Sequence, residues 1–134
     1  LASKPTAVKI NNNEAATYIG QPITTIQEAK AACKRLVAEG VQLCVITMGE
    51  HGAVGATCDE AYHVKIDGFG PWPVGSGDSF MGGMVVKWAQ SKSLLDSMIS
   101  GAAAGTANAQ RQIAGLFELD QFERGLKEAK FTRL

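Results

Sequence analysis

The sequence is poor in the features that would place it in several large classes of protein. It has no uninterrupted apolar run approaching the roughly 20 residues that a bilayer span needs. It has no excess of either charge: Lys plus Arg and Asp plus Glu are each 13, for a formal net charge of zero. A nucleic-acid or membrane-surface partner would call for a basic balance, so neither is expected. Cysteines number three, Cys33, Cys44 and Cys58, an odd count without C-x-x-C spacing. Cys33 and Cys44 fall within apolar segments. A disulfide framework or zinc site is therefore not expected, and the simple reading is buried thiols in a reducing cytoplasm. Only two histidines occur, His51 and His63, with no metal-ligand spacing between them. His63 alternates with Tyr62 and Val64 in a strand-like run and reads as structural. The first residues lack a basic segment followed by an apolar block, so no signal peptide is expected. Internal repeats and low-complexity linkers are missing as well.

What remains is an ordinary globular composition: 134 residues, 46% hydrophobic and 19% charged, enough for one modest core. The chain is organised around Pro73-Val-Gly-Ser-Gly-Asp-Ser-Phe-Met-Gly-Gly83. Gly75 and Gly77 permit a sharp turn. Phe80, Met81, Met84, Val85 and Trp88 then recur at helical spacing. A glycine-rich turn entering a helix presents unpaired N–H groups at the positive end of the helix dipole, a ready anion site. Asp78 falls in that first turn. It reads either as a dipole-favoured acid or as a general base held near a bound phosphate.

The remaining chain alternates helix and strand. Ala7-Val-Lys-Ile10 is a short strand candidate ending in three asparagines. Glu14 to Ile19 form a short helix stopped at Gly20, with Asn11 as cap and Glu14 as first-turn acid. Thr25-x-x-Glu28 is a capping box. It opens a helix that buries Ile26, Ala29, Cys33, Leu36 and Val37 and stops at Gly40. Val41 to Met48 is nearly all apolar and reads as a central parallel strand covered on both faces. Ala53 to Cys58 and Ala61 to Ile66 are further strand candidates, the first entered through a tight hairpin at Gly49-Glu-His-Gly52. A helix begins at Leu94 to Met98 and continues through the small residues of Ser100 to Ala109. A last amphipathic helix is expected through Phe122, Leu126 and Ala129.

The string Val74-Gly-Ser-Gly-Asp-Ser-Phe80 with Gly82-Gly83 resembles the C-terminal signature of the ribokinase/PfkB carbohydrate kinase family. Its wording is nearest the 1-phosphofructokinase and tagatose-6-phosphate kinase branch. Three more motifs follow in family order. Lys9, Asn11 and Glu14 match a Lys-Pro-Asn-x-x-Glu motif in which Ile10 replaces the proline. Thr47, Gly49 and Gly52 match a Thr/Ser-x-Gly-x-x-Gly-Ala loop. Asn108 sits in an Ala-Asn-Ala setting on a small-residue helix. The expected fold is therefore α/β, a three-layer α-β-α ribokinase-like (Rossmann-like) arrangement, of which residues 1–134 supply the C-terminal portion only. The sugar-binding N-terminal half and the lid are not in this sequence.

The resemblance implies ATP-dependent phosphorylation of a sugar or sugar phosphate, of the tagatose-6-phosphate or fructose-1-phosphate type. It makes Asp78 the catalytic base and Gly75, Ser76 and Gly77 the anion hole. It assigns Thr47, Gly49, Gly52, Asn108 and Lys9 to the nucleotide, and Asn11 and Glu14 to organising Mg²⁺, water and phosphate. ATP and Mg²⁺ are the implied cofactors. K⁺ is a further one in some members, though Trp72-Pro73 departs from the usual wording of the cation loop. A half-sheet with an open edge would also be expected to form homo-oligomers. Other readings stay open on sequence alone: a kinase for an unphosphorylated sugar, a non-catalytic nucleotide-binding or oligomerising module, and a flavodoxin-like domain with chance glycines.

Overall fold

The computed structural model describes residues 6–65, 76–109, 126–127 and 129–134. Its spine is a five-stranded sheet in the order β1-β2-β3-β4-β5. Strand β1 (Ala7–Asn11) pairs parallel with β2 (Leu43–Thr47). From β2 onward the sheet is an antiparallel meander through β3 (Ala53–Ala56), β4 (Ala61–Lys65) and β5 (Lys130–Arg133). The parallel pair is joined by a crossover of two helices, α1 (Asn12–Ile19) and α2 (Ile26–Ala38). Between β4 and β5 come α3 (Ser76–Ser91) and α4 (Leu94–Ala109).

Strict alternation along β2 explains the layers. Cys44 and Ile46 face one way, with Val54, Ala56 and Ala61, and pack under Ala15 of α1 and Ala29, Ala32, Cys33 and Leu36 of α2. Leu43 and Val45 face the other way, with Ala53 and Val64, and pack under Phe80 and Met84 of α3 and Leu94, Met98 and Ala103 of α4. A strand buried on both faces has no room for a polar position, which is why β2 reads as one apolar run. The α-β-α layering expected from the sequence is thus present. The strand expected over Val41 to Met48 is trimmed to Leu43–Thr47. It has one parallel neighbour and one antiparallel neighbour.

The helix ends follow the local chemistry. Thr25 and Glu28 form the capping box, and Asn11 and Glu14 form a second one. Gly20 ends α1 in the left-handed region at φ 83°, where glycine avoids a Cβ clash. Helices α3 and α4 lie against each other through small residues. A Cβ on Gly83 would stand 2.8 Å from the Ser100 carbonyl oxygen, and one on Gly101 would stand 2.8 Å from the Phe80 ring.

Three expectations need correcting. Cys58 is exposed in the β3–β4 turn, whereas Cys33 and Cys44 are buried free thiols. Val85, expected on the apolar face of α3, is 42% exposed, because Phe80 and Met84 already meet the sheet and Val85 follows Met84 round the helix. The last helix, expected through Phe122, Leu126 and Ala129, does not include Ala129: Leu126 and Lys127 are helical, Phe122 lies outside the described residues, and Lys130–Arg133 add a further strand beside β4. Burial does not announce this strand, since all four of its residues are exposed. It pairs with the main chain of β4, and its Phe131 meets the Tyr62 ring edge-on with centroids 6.4 Å apart.

Candidate active site

Parallel pairing makes β1 and β2 finish at the same end of the sheet. Asn11 and Thr47 stand opposite each other there. Loops beyond the carboxyl ends of parallel strands are where α/β sheets bind ligands. At this end α1 starts immediately after β1, and the β2–β3 loop starts immediately after β2.

The α1 start is tightly specified. Asn11 is its N-cap, in extended conformation at φ −85° and ψ 169°. Its Oδ1 accepts from the Glu14 N–H at 2.8 Å, and the Asn11 N–H donates to Glu14 Oε1 at 3.0 Å. Those bonds satisfy two main-chain donors and leave both side chains exposed. The second carboxylate oxygen of Glu14 is not part of the box. A single carboxylate of this kind, with water and substrate phosphates completing the shell, suits Mg²⁺. The two residues therefore fit the ion, although among the described residues no group of three His, Cys, Asp or Glu side chains could hold a metal unaided.

The β2–β3 loop is a single 3₁₀ turn, Gly49–His51. Thr47 precedes it, partly buried, with its Oγ1 3.5 Å from the Ile10 carbonyl oxygen. Gly49 takes φ 58° and Gly52 φ 91°, both in the region that side chains disfavour. Met48 N–H donates to the Gly52 oxygen at 2.8 Å, closing the hairpin. His63 of β4 reaches the same loop through Nε2, 2.7 Å from the His51 oxygen. The hairpin read from the sequence is thus present. His63 is structural as expected, but nothing in the sequence points to its contact with His51.

The structure brings Asn11, Glu14, Thr47, Gly49 and Gly52 to this end of the sheet. Lys9 lies two residues before Asn11 on β1, partly buried, opposite Val45. Ser76, Gly77 and Asp78 occupy the first described turn of a separate element, α3, and Asn108 the last turn of α4. Gly75 lies outside the described residues, as do Trp72 and Pro73. A shallow depression of about 540 Å³ flanks α1, between Asn12, Asn13 and the 20–24 segment. Its lining has no charged side chain, so it is a poor receptor for a polyphosphate.

A three-layer α/β unit with a ligand end at its parallel strands is a broad class. Likeness to known proteins narrows it. Residues 1–119 match the model of the pfkB family carbohydrate kinases, and the chain belongs to that family. It is 30% identical to a 1-phosphofructokinase of Bacillus subtilis over 132 residues, 98% of this chain and 43% of that protein. It is 28% identical to a tagatose-6-phosphate kinase of Staphylococcus epidermidis over 127 residues, 93% of this chain and 41% of that one. Among solved structures, phosphofructokinase-2 from Escherichia coli in complex with potassium superposes with a TM-score of 0.86. That match has 26% identity and covers 94% of this chain and 41% of the other. The chain therefore spans less than half the length of the relatives it matches.

Proposed function

We propose that this chain is the nucleotide-binding and catalytic part of an ATP-dependent carbohydrate kinase. The observation that carries the reading is the in-register meeting of Asn11 and Thr47 at the carboxyl ends of β1 and β2. It sets the Asn11–Glu14 cap beside the glycine loop in a chain of the pfkB family. The acceptor is a sugar phosphate of the tagatose-6-phosphate or fructose-1-phosphate type, following the named relatives. Thr47, Gly49 and Gly52 face the nucleotide phosphates, with Lys9 beside them and Asn108 near the base. Asp78 accepts the proton of the attacking hydroxyl. The main-chain N–H groups of Gly75, Ser76 and Gly77 hold the transferring phosphoryl group. Bound Mg²⁺, organised by Glu14 and Asn11 through water and phosphate, would neutralise charge on the phosphates. Proximity and charge stabilisation supply most of the rate.

The chain spans 43% of the Bacillus subtilis relative. The kinase therefore works as part of a longer protein, and this chain alone has little turnover. Phosphofructokinase-2 from Escherichia coli is described in a tetrameric inhibited form. Among the described residues β1 is paired on one side only, by β2, which gives this chain, too, a reason to associate. No described helix is long and apolar enough to cross a membrane. The compartment proposed for the kinase is the cytoplasm, following its reading as a metabolic enzyme that uses ATP.

Calorimetric titration with Mg·ATP tests the reading, with Gly77→Val as control. Binding by the parent chain that disappears in the variant is the expected result. In the full-length kinase, Asp78→Asn should cut kcat by about 10²–10⁴-fold with ATP affinity nearly unchanged. Unchanged turnover would remove Asp78 from its role.

A further inference from the structure

The Gly49–His51 turn is tied to the sheet from outside itself. Its own bonds are internal: Met48 N–H to the Gly52 oxygen, His51 N–H to the Met48 oxygen at 3.1 Å, and Gly52 N–H to the Gly49 oxygen at 3.1 Å. They shape the turn, and the Thr47–Ala53 pair anchors its two ends in the β2–β3 ladder. Two features of β4 add to that hold. A Cβ on Gly52 would run into the Val64 carbonyl oxygen, so the loop lies flush against β4 there. The neighbouring residue His63 stands opposite Val54 in the β3–β4 ladder, and its ring reaches the His51 end of the turn. Its Nε2 is 2.7 Å from the His51 oxygen. A carbonyl oxygen only accepts, so Nε2 carries a proton and donates.

We propose that His63 is a positioning residue for the nucleotide loop. Its Nε2–H holds the turn in place before ATP arrives. The proposal rests on the nucleotide reading of Thr47, Gly49 and Gly52 given above. A loop already held in its binding shape is spared the ordering cost at the moment of binding. Without the His63 bond that cost falls on the nucleotide. The mechanism does not need His63 to touch ATP or to change protonation.

Two substitutions separate the donor from the ring. His63→Phe keeps a ring of similar size and removes the N–H. His63→Gln gives up the ring and keeps an N–H donor at similar reach. Amide hydrogen exchange at residues 48–52 and Mg·ATP titration are measured on both and on the parent chain, alongside thermal midpoints. In His63→Phe, exchange at Met48, His51 and Gly52 should rise about tenfold, and Mg·ATP should bind about fivefold more weakly, the factor expected for one lost hydrogen bond. His63→Gln should bring both quantities back to within about twofold of the parent, whatever its midpoint. Parent-like exchange in His63→Phe overturns the tether. Faster exchange with unchanged Mg·ATP affinity overturns the link to the nucleotide. Where the parent chain binds Mg·ATP only within the full-length kinase, the variants are titrated there, with the same expected outcomes. Absence of Mg·ATP binding by the parent chain and the full-length kinase alike overturns the nucleotide reading and this proposal with it, while exchange still reports on the tether itself. If His63→Phe does not fold, His63→Asn, whose amide is too short to reach His51, takes its place with the same expected outcomes.

Discussion

Asn11 and Glu14 satisfy each other: each side chain accepts the other's main-chain N–H, at 2.8 and 3.0 Å. The same two residues are the ones proposed to organise magnesium and phosphate. Structural and chemical roles thus share one pair, and substitutions must be chosen to part them. Asn11→Ala should lower stability by about 1 kcal/mol through loss of the cap. Asn11→Asp keeps an N-cap acceptor and should leave stability within about 0.5 kcal/mol of the parent. Urea unfolding of both variants, set beside their Mg·ATP affinities, shows whether the Asn11 amide does more than cap. Equal loss of stability in the two variants would discard the cap assignment.

The two glycines of the β2–β3 loop should respond differently to the same substitution. At Gly49, φ is 58° and an added Cβ meets nothing within 4 Å. Gly49→Ala should therefore cost only the left-handed penalty, about 1–2 kcal/mol. Gly52 takes φ 91° and ψ −142°, and its Cβ would collide with the main chain of β4. Gly52→Ala should cost clearly more, about 3 kcal/mol or above, since neither strain nor collision can relax cheaply. Thermal melts rank the two, and equal costs would contradict the packing of this loop on β4.

A similar contrast lies on α3. Gly82 faces open space, while Gly83 is pressed against α4 at Ser100 and Ala104. Gly82→Ala should stabilise the chain by about 0.5–1 kcal/mol by restricting the unfolded backbone. Gly83→Ala should destabilise it by about 1–3 kcal/mol, because the nearest atom is a main-chain oxygen that cannot swing aside. Chemical unfolding of the two single variants decides the matter by the sign of each change.

The Glu28 carboxylate predicts a pH effect. Its Oε1 accepts from Thr24 N–H at 3.2 Å, Thr24 Oγ1 at 3.1 Å and Thr25 N–H at 3.1 Å. The main-chain bond from Thr24 is the largest cause holding its pKa below the usual 4.5, followed by the Thr25 and Thr24 side chains. A folded-state pKa below the unfolded one means that the contribution is present above the ordinary carboxylate range and is lost as pH falls through the folded value. Glu28→Gln should therefore be less stable than the parent at neutral pH, and the gap should close below about pH 4. A gap of constant size from neutral to acid pH would rule out ionisation as its source.

The features legible in the sequence are those decided by near neighbours or by burial alone. The Thr25–Glu28 box is written within four residues, and the structure has it. Strand β2 is legible because burial on both faces leaves only apolar choices. The Asn11–Glu14 pair is legible as a cap for the same local reason as the Thr25–Glu28 box. The His63–His51 bond is not, because it depends on the β3–β4 register and on the shape of a loop twelve residues away. Alternation along Ala61 to Ile66 reveals the strand but not what its side chains reach. Strand β5 escapes because Lys130-Phe-Thr-Arg133 is short, charged and exposed, and only pairing with β4 makes it a strand. Cys58 escapes burial because it stands between Thr57 and Asp59 in the β3–β4 turn, a polar setting that outweighs the usual preference of a free thiol for the core.

The sheet order also implies an order of assembly. Strands β2, β3 and β4 are joined by short turns, so their ladders close small loops and can form early. The β1–β2 ladder must wait for α1 and α2 to fold across. The β4–β5 ladder spans everything from α3 to the end of the chain. Strand β5 also has every residue exposed, so little burial resists its release. It should be the last strand to join and the first to leave. In pulse-labelled hydrogen exchange, amides of the β2–β4 meander would gain protection before those of residues 130–133. Under mild denaturant the Tyr62–Phe131 contact would be lost while the rest of the sheet stands.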